Sequence, residues 1–410
     1  MKCILLAPAL LLFAGTISFG FMSDDFHLLY RIENEGFFLS WGGEFGDMYF
    51  RPLTVLSYFT DNMIFGRNPA GWHLTSILWH LTCSWLVFLL ARVTLKDEAA
   101  AFSAGYLFLL LACHSESVAW ISGRTDLIAT AFCLGSILAF LRKSPWALLL
   151  YAAGLLAKES VLITPVLWVV LVMKSPEWDF RAKRLAVSGL VVAGIYIAAR
   201  FLMSGSFPSG AGEVSLTAGS ESLVRYMFRV FIPPLSEAAL PFLARNPFSI
   251  PLFLFAVSSC IALFALRRSF SRKAFAALVL GFFVSLVPVM FMKVSLVDTR
   301  SERLLYLPGV FAVLALVNWV FQVFGKRAAP ALLAALALLQ GAFLYRSNMN
   351  WRTAGEMCVE LIREPVASPP DNYRGAYVFR NGYREALLLF GERRRPPGSQ
   401  YQGVCGREFP

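Results

Sequence analysis

Long runs without a charged side chain recur from one end of this chain to the other, and they decide what it can fold into. Residues 72–91, 304–324 and 328–345 carry no Asp, Glu, Lys or Arg, and further apolar stretches fill 4–22, 99–113 and 125–141. A helix needs about 20 apolar residues to cross the hydrocarbon core of a bilayer, where every backbone group must find its partner within the chain. The runs therefore predict an all-α polytopic membrane protein. At 57% hydrophobic and 15% charged residues, the composition excludes an ordinary soluble domain, in which about a quarter of residues are charged.

The predicted spans are 4–22, 72–92, 99–113, 125–141, 145–157, 160–173, 185–203, 249–266, 274–292, 304–324 and 329–345, about eleven helices. Segments 145–157 and 160–173 are short and flank Lys158-Glu159; joined into one helix they would bury that pair near mid-membrane. Kept apart, they put the basic linkers 1–3, 93–98, 142–144, 174–184, 267–273 and 325–328 on one side. The positive-inside rule makes that side cytoplasmic, with the N-terminus, and sets the tail outside. The first segment reads as a retained span, since its apolar stretch is long and its basic n-region short for a cleaved signal. The net charge of +11 is concentrated in these linkers and forms no aromatic-studded stripe, so no nucleic-acid partner is expected.

This places a membrane domain at 1–345 with a large first outer loop, 23–71, and a second outer loop, 204–248. Around Leu223–Phe231, with Arg225, Arg229 and Arg245 and a Pro233-Pro234 break, the second loop reads as an amphipathic interfacial helix over the active site. Residues 346–410 form a short extracytoplasmic tail; 374–392 reads as a repeat-like helix pair and the stretch after Glu392 as disordered.

Polar groups at membrane depth are costly and tend to be functional. Here they collect on the outer side. Asp24-Asp25 follows the first span, and Arg51 and His73 lie near the mouth of the second. His114, Glu116, Arg124 and Asp126 come from the loop after the third, with Lys158-Glu159 and Arg300-Ser301-Glu302-Arg303 further on. Such a set suits transfer of a sugar from a lipid phosphate. The leaving phosphate is already a stable anion and needs no general acid. The acceptor hydroxyl needs a carboxylate to take its proton, and the phosphate needs cations. Asp24 and Asp25 are the candidate bases; Arg51, Arg124, Lys158, Arg300 and Arg303 are the candidate phosphate holders. His73, His114, Glu116, Asp126, Glu159 and Glu302 are supporting or acceptor-side candidates. Plainer readings stand beside these: Lys158-Glu159 as a self-compensated pair, Arg300 and Arg303 as partners of Glu302, and His73 with His80 as packing. A divalent cation among Asp24, Asp25, His114 and Glu116 suits the donor types, and its participation is left open.

The motifs that carry these residues resemble the transmembrane and tetratricopeptide-repeat-containing O-mannosyltransferases and their bacterial relatives, within the type-C glycosyltransferase (GT-C) superfamily. They are Asp24-Asp25, YFRPLTVLSY (49–58), NPAGWHLTSILWHL (68–81), HSESVAWISGRTDLIAT (114–130), LLAKES (155–160), SERLLYLPG (301–309) and SNMNWRTAGEM (347–357). The resemblance implies a GT-C-like bundle and inverting transfer of mannose, or a similar sugar, from dolichyl- or undecaprenyl-phosphate to a protein hydroxyl. It implies Asp24 or Asp25 as base and Arg124 and Arg303 at the phosphate. Relatives carry long repeat arrays, whereas only 346–410 follow the membrane part here, so a protein, glycan or lipid acceptor stays open. A bacterial inner membrane is the expected location, or the endoplasmic reticulum in a eukaryote.

The competing class is a transporter or flippase of a lipid-linked or anionic substrate, since many spans with charges at membrane depth suit it. That class shows paired internal repeats and midplane charges. No clear repeat is present here and the charges gather at one face, which favours the enzyme.

Overall fold

The computed structural model describes residues 12–34, 50–172, 178–204, 216–234, 272–296, 298–363, 376–381 and 383–389. A 3-10 turn at Gly15–Ser18 leads into α1 (Asp24–Asn34), followed by α2 (Pro52–Phe65) and α3 (Pro69–Leu95). Proline opens both α2 and α3, where its missing N–H removes nothing the helix uses. Asn68 caps α3 by accepting from the Ala70 N–H at 3.2 Å. Lys96, at φ 54°, ends α3, and Asp97 caps α4 (Glu98–Leu109) by accepting from the Ala100 N–H at 3.0 Å. After α4 the chain bends by 53° into Ala112–Ala119, whose last part is α5 (Ser115–Ala119). Then come α6 (Arg124–Leu141), α7 (Trp146–Leu155), α8 (Thr164–Val172), α9 (Phe180–Ser204), α10 (Leu216–Arg229), α11 (Arg272–Leu286) and α12 (Tyr306–Arg363).

Helices α3, α4, α6, α11 and α12 enclose the main core, in which Leu107, Phe108, Val310, Phe311 and Leu314 are fully or almost fully buried. Close approach is made by small residues, as in membrane bundles generally. A Cβ at Gly105 would stand 3.0 Å from that of Phe88, and the Ser84 hydroxyl donates to the Gly105 carbonyl at 2.8 Å. α9 instead turns Val187, Leu190, Val191 and Ile195 outward, the surface a helix offers to lipid tails.

Among the described residues, four stretches are long and apolar enough to cross a bilayer: Pro69–Leu95, Ile121–Leu141, Phe180–Leu202 and Glu302–Glu356. Counting α4 with its bent continuation makes five. The chain is a helical membrane protein, but the described residues fall short of the expected eleven spans. The shortfall has local causes. Segments 304–324 and 329–345 fall within one such stretch, although the chain folds back at Gly325 (φ 75°, ψ 173°) into two arms: Arg303 and Trp351 both lie against Trp120, while Lys326 sits at the opposite end. Segments 145–157 and 160–173 stay separate and short, broken at Lys158-Glu159, and 274–292 is equally short. Of 4–22, the described part winds into the 3-10 turn and then extends. Span 249–266 and the stretch after Glu392 lie outside the described residues.

The tail corrects another expectation. Residues Ala376–Asn381 (β1) and Tyr383–Leu389 (β2) pair as an antiparallel hairpin, not as a helix pair. The Asn381-Gly382 dipeptide between runs rich in Tyr, Val, Phe and Leu is a strong hairpin signal, and it outweighs the repeat-like pattern.

Contacts between linkers sort cleanly by end. Lys326 reaches Asp97 at 2.6 Å, and Lys143 reaches Asp179 at 2.6 Å. These basic linkers lie at the ends of α3 and α6 opposite to Pro69 and Arg124. The start of α2, the α5–α6 loop, the α7–α8 break and the segment before α12 meet at the other end.

Candidate active site

At that end the first acidic pair opens α1 after Ser23, whose backbone is left-handed (φ 48°). Successive helical residues point about 100° apart, and the two carboxylates end in opposite surroundings. Asp25 is 0% exposed. Its Oδ2 accepts from the Met22 N–H at 3.1 Å, and its Oδ1 accepts from the Ser122 N–H at 2.9 Å and the Ser122 hydroxyl at 2.6 Å. Burial pushes the Asp25 pKa up to about 7, against the pull of those hydrogen bonds. Asp24 faces outward, its Oδ1 3.3 Å from the Ser23 hydroxyl.

Three cation–carboxylate pairs assemble beside this turn. Arg51, just before α2, grips Glu159 through two N–H groups at 2.5 and 3.1 Å. Backbone and side chain reinforce that junction: the Leu53 N–H donates to Leu156 O at 3.0 Å and the Thr54 hydroxyl to Ala157 O at 3.1 Å. Lys158 donates to Asp126 at 2.6 Å, both nearly buried, and the second Asp126 oxygen has no hydrogen-bond partner. Glu116 accepts from the Arg303 backbone N–H at 2.8 Å and its guanidinium at 3.3 Å. That guanidinium also lies over the Trp120 ring, 4.7 Å from its centroid. The Lys158 ammonium interacts electrostatically with Asp126, Arg51, Glu159 and Arg303, so the three pairs form one charged cluster. Trp120 in turn stacks with Trp351 of α12, centroids 6.3 Å apart, and both pack with Phe19 and Met22 beside the acidic turn.

Other expected site residues are drawn elsewhere. Arg124, expected at the phosphate, is 0% exposed and faces inward, where it ties segments of the protein together. It donates to Ser76 Oγ at 3.1 Å, Ser57 Oγ at 3.2 Å and Trp72 O at 2.5 Å, pairs with Asp61, and lies over Tyr58. A buried guanidinium demands acceptors, and this knot supplies them. Glu302 pairs with Arg229, both fully buried, rather than with its neighbours Arg300 and Arg303. Arg300 is 83% exposed and bound to Asp298, two residues earlier. His73 is buried edge-on to Phe19, and His114 among Phe108, His80 and Tyr306.

The divalent-cation grouping does not assemble. His114 turns into the apolar core, Glu116 is taken by Arg303 and Asp25 by Ser122. Among the described residues no group of three His, Cys, Asp or Glu side chains could hold a metal. Residues not anticipated for the site from sequence are Ser122, Asp61, Trp120 and Trp351; Arg229, expected in an interfacial amphipathic helix, is instead buried. Ser122 and Trp120 sit inside the quoted 114–130 motif, but nothing in its spacing identifies what they touch.

Fold and site together define a polytopic helical membrane protein with an exposed carboxylate and a cluster of paired cations at the same end. The chain is similar to protein O-mannosyl-transferase Tmtc1 of Drosophila melanogaster, 31% identical over 179 residues covering 38% of this chain and 21% of that protein. Tmtc2 of the same species is 30% identical over 218 residues, 46% of this chain and 23% of its own length. Human TMTC2 is 36% identical over 93 residues, 23% of this chain and 11% of its own length. The matched stretches thus span under a quarter of these curated relatives. No family model and no solved structure matches.

Proposed function

We propose that this chain transfers a sugar, mannose on the strength of its relatives' names, from a polyprenyl- or dolichyl-phosphate carrier to a protein hydroxyl on the side of the membrane away from the basic linkers. The observation that carries the reading is the division of labour at Asp24-Asp25. Ser122 locks Asp25 against the loop whose Trp120 supports Arg303, which leaves Asp24 exposed at the same end of the molecule as the cation cluster. Asp24 takes the proton of the acceptor hydroxyl. The hydroxyl oxygen attacks the anomeric carbon while the bond to the phosphate oxygen breaks, and polyprenyl phosphate leaves. A single displacement inverts the anomeric centre.

Arg303 and Arg51 neutralise the phosphate, since each keeps part of its guanidinium accessible, at 34% and 22% side-chain exposure. Lys158 with Asp126 sets the field beneath them. Asp25 shapes the turn. A site at the membrane surface is required because the polyprenyl tail stays in the bilayer while its head group reacts.

The test compares wild type, Asp24→Asn and Asp25→Asn in purified membranes supplied with radiolabelled polyprenyl-phosphate mannose. Label entering a protein product with wild type, abolished by Asp24→Asn and only lowered by Asp25→Asn, supports the reading. Full activity of Asp24→Asn sinks the base assignment. Label that crosses the membrane without entering a product points to the transport class instead.

A further inference from the structure

We propose that Arg229 is a positioning residue: its buried ion pair with Glu302 fixes the turn that presents Arg303 to the phosphate of the donor lipid. The inference rests on the assignment of Arg303 to that phosphate. Arg229 ends α10, far from the cation cluster in sequence, and it is among the largest side chains fully buried in the molecule. Its guanidinium pairs with Glu302, donates to Ser295 O at 2.9 Å and also donates to Ile232 O.

Three more residues of α10 hold the same segment. The Tyr226 hydroxyl lies 3.1 Å from Val289 O and 2.9 Å from Met292 O, Arg225 donates to Val294 O at 3.4 Å, and Glu221 accepts from Lys293 at 3.1 Å. The segment is closed on itself as well, the Ser295 N–H donating to Arg300 O at 3.1 Å. It then turns at Ser301, left-handed at φ 66°. Glu302 and Arg303 leave that turn in succession, one into the core to Arg229 and the other outward to Glu116 and Trp120.

A left-handed turn at a residue with a Cβ persists only where its surroundings hold it. Here the holding contact is a buried carboxylate, which needs its cation. The geometry gives Arg229 no role of its own toward substrate: it is sealed, and its partner Glu302 is the immediate neighbour of the residue whose guanidinium is open. Nor is Arg229 a plain packing cation: among the described residues, the groups that its guanidinium hydrogen-bonds or ion-pairs lie on the segment before α12 or just past the end of α10.

The test uses the full chain in nanodiscs with polyprenyl monophosphate, which carries no sugar, as the binding probe, and with donor kinetics alongside. The variants are Arg229→Lys, Arg229→Gln, Arg303→Gln, the double variant Arg229→Gln with Arg303→Gln, and the neutral pair Arg229→Met with Glu302→Leu, which leaves no lone buried charge. Arg229→Gln and the neutral pair are expected to weaken lipid-phosphate binding about tenfold, the loss of one well-placed charge-assisted hydrogen bond. The donor KM rises accordingly with kcat largely kept, and Arg229→Lys recovers part of the loss. Because Arg229 acts through Arg303, the double variant binds no worse than Arg303→Gln alone.

Wild-type affinity in the neutral pair, or losses that add in full in the double variant, would overturn the positioning role while leaving the donor reading intact. The neutral pair and Arg229→Lys carry the test if Arg229→Gln does not fold. Failure of wild type to bind polyprenyl phosphate, or wild-type binding by Arg303→Gln, removes the phosphate assignment itself and the proposal with it.

Discussion

At one end of the bundle Lys326 meets Asp97 with its side chain 82% exposed, while at the other Arg124 meets Asp61 with the two side chains 0% and 3% exposed. Both are single salt bridges between segments distant in the chain, yet they differ in kind. The first lies in water, where solvent and salt screen it and two long side chains gain little by meeting. The second has been taken out of water, so each charge depends on its partner and on the hydroxyl and carbonyl groups around it. The same division runs through the molecule. Lys143–Asp179 belongs with the basic linkers, whereas Lys158–Asp126 and Arg229–Glu302 belong with the site. Charges on the linker side serve topology, and charges on the site side are held in place by burial, which is what chemistry at a membrane surface requires.

The sharpest way to break this comparison is at Asp24. Asp24→Asn is expected to lower sugar transfer about 10²- to 10⁴-fold, the usual contribution of a general base, with the amount of folded protein in membranes unchanged. Neutralising Lys326 at the other end should leave transfer as it is.

Next in size is the buried knot. Asp61→Ala strands the Arg124 guanidinium and is expected to cost about 3–5 kcal/mol of stability, read as a lowered thermal midpoint in detergent. A midpoint close to wild type would mean that Ser57, Ser76 and the Trp72 carbonyl satisfy Arg124 without it.

A smaller, pH-dependent effect is expected at Asp25. Its pKa is about 7 in the fold against an ordinary value of 3.8, so between those values the folded chain holds a proton that the unfolded chain releases. The stabilisation is full below about pH 4 and is lost as pH rises through about 7. Thermal midpoints should therefore fall from pH 5 to pH 8, and Asp25→Asn should flatten that slope. A slope that survives Asp25→Asn assigns the titration to another group.

The smallest effect belongs to the exposed end. Lys326→Ala is expected to change stability by less than about 1 kcal/mol and to lose even that in high salt.

Much of this was legible without a structure. Apolar runs declare membrane helices because partition into a bilayer sums along the chain, and the basic linkers sort by side for a similar reason. The break at Lys158-Glu159 and the end of a span near 325 both follow from charge and glycine in otherwise apolar sequence. Other features were misread or invisible. The eleven-span count treated every apolar run as a crossing, although the segments flanking Lys158-Glu159 form helices of only a few turns. The 374–392 segment was read by its repeat-like pattern, although Asn381-Gly382 favoured a hairpin.

By itself, then, the sequence determined that this is a helical membrane protein, that its polar groups gather at one end, and that an acidic pair opens that end. Only the tertiary structure decided which member of the pair faces outward, that Arg124 is internal and that no metal cluster forms among the described residues. It also decided which carboxylate each cation meets. The reason is distance along the chain: Arg51 and Glu159 are 108 positions apart, and desolvation acts on whatever the fold brings together, not on what the sequence places side by side.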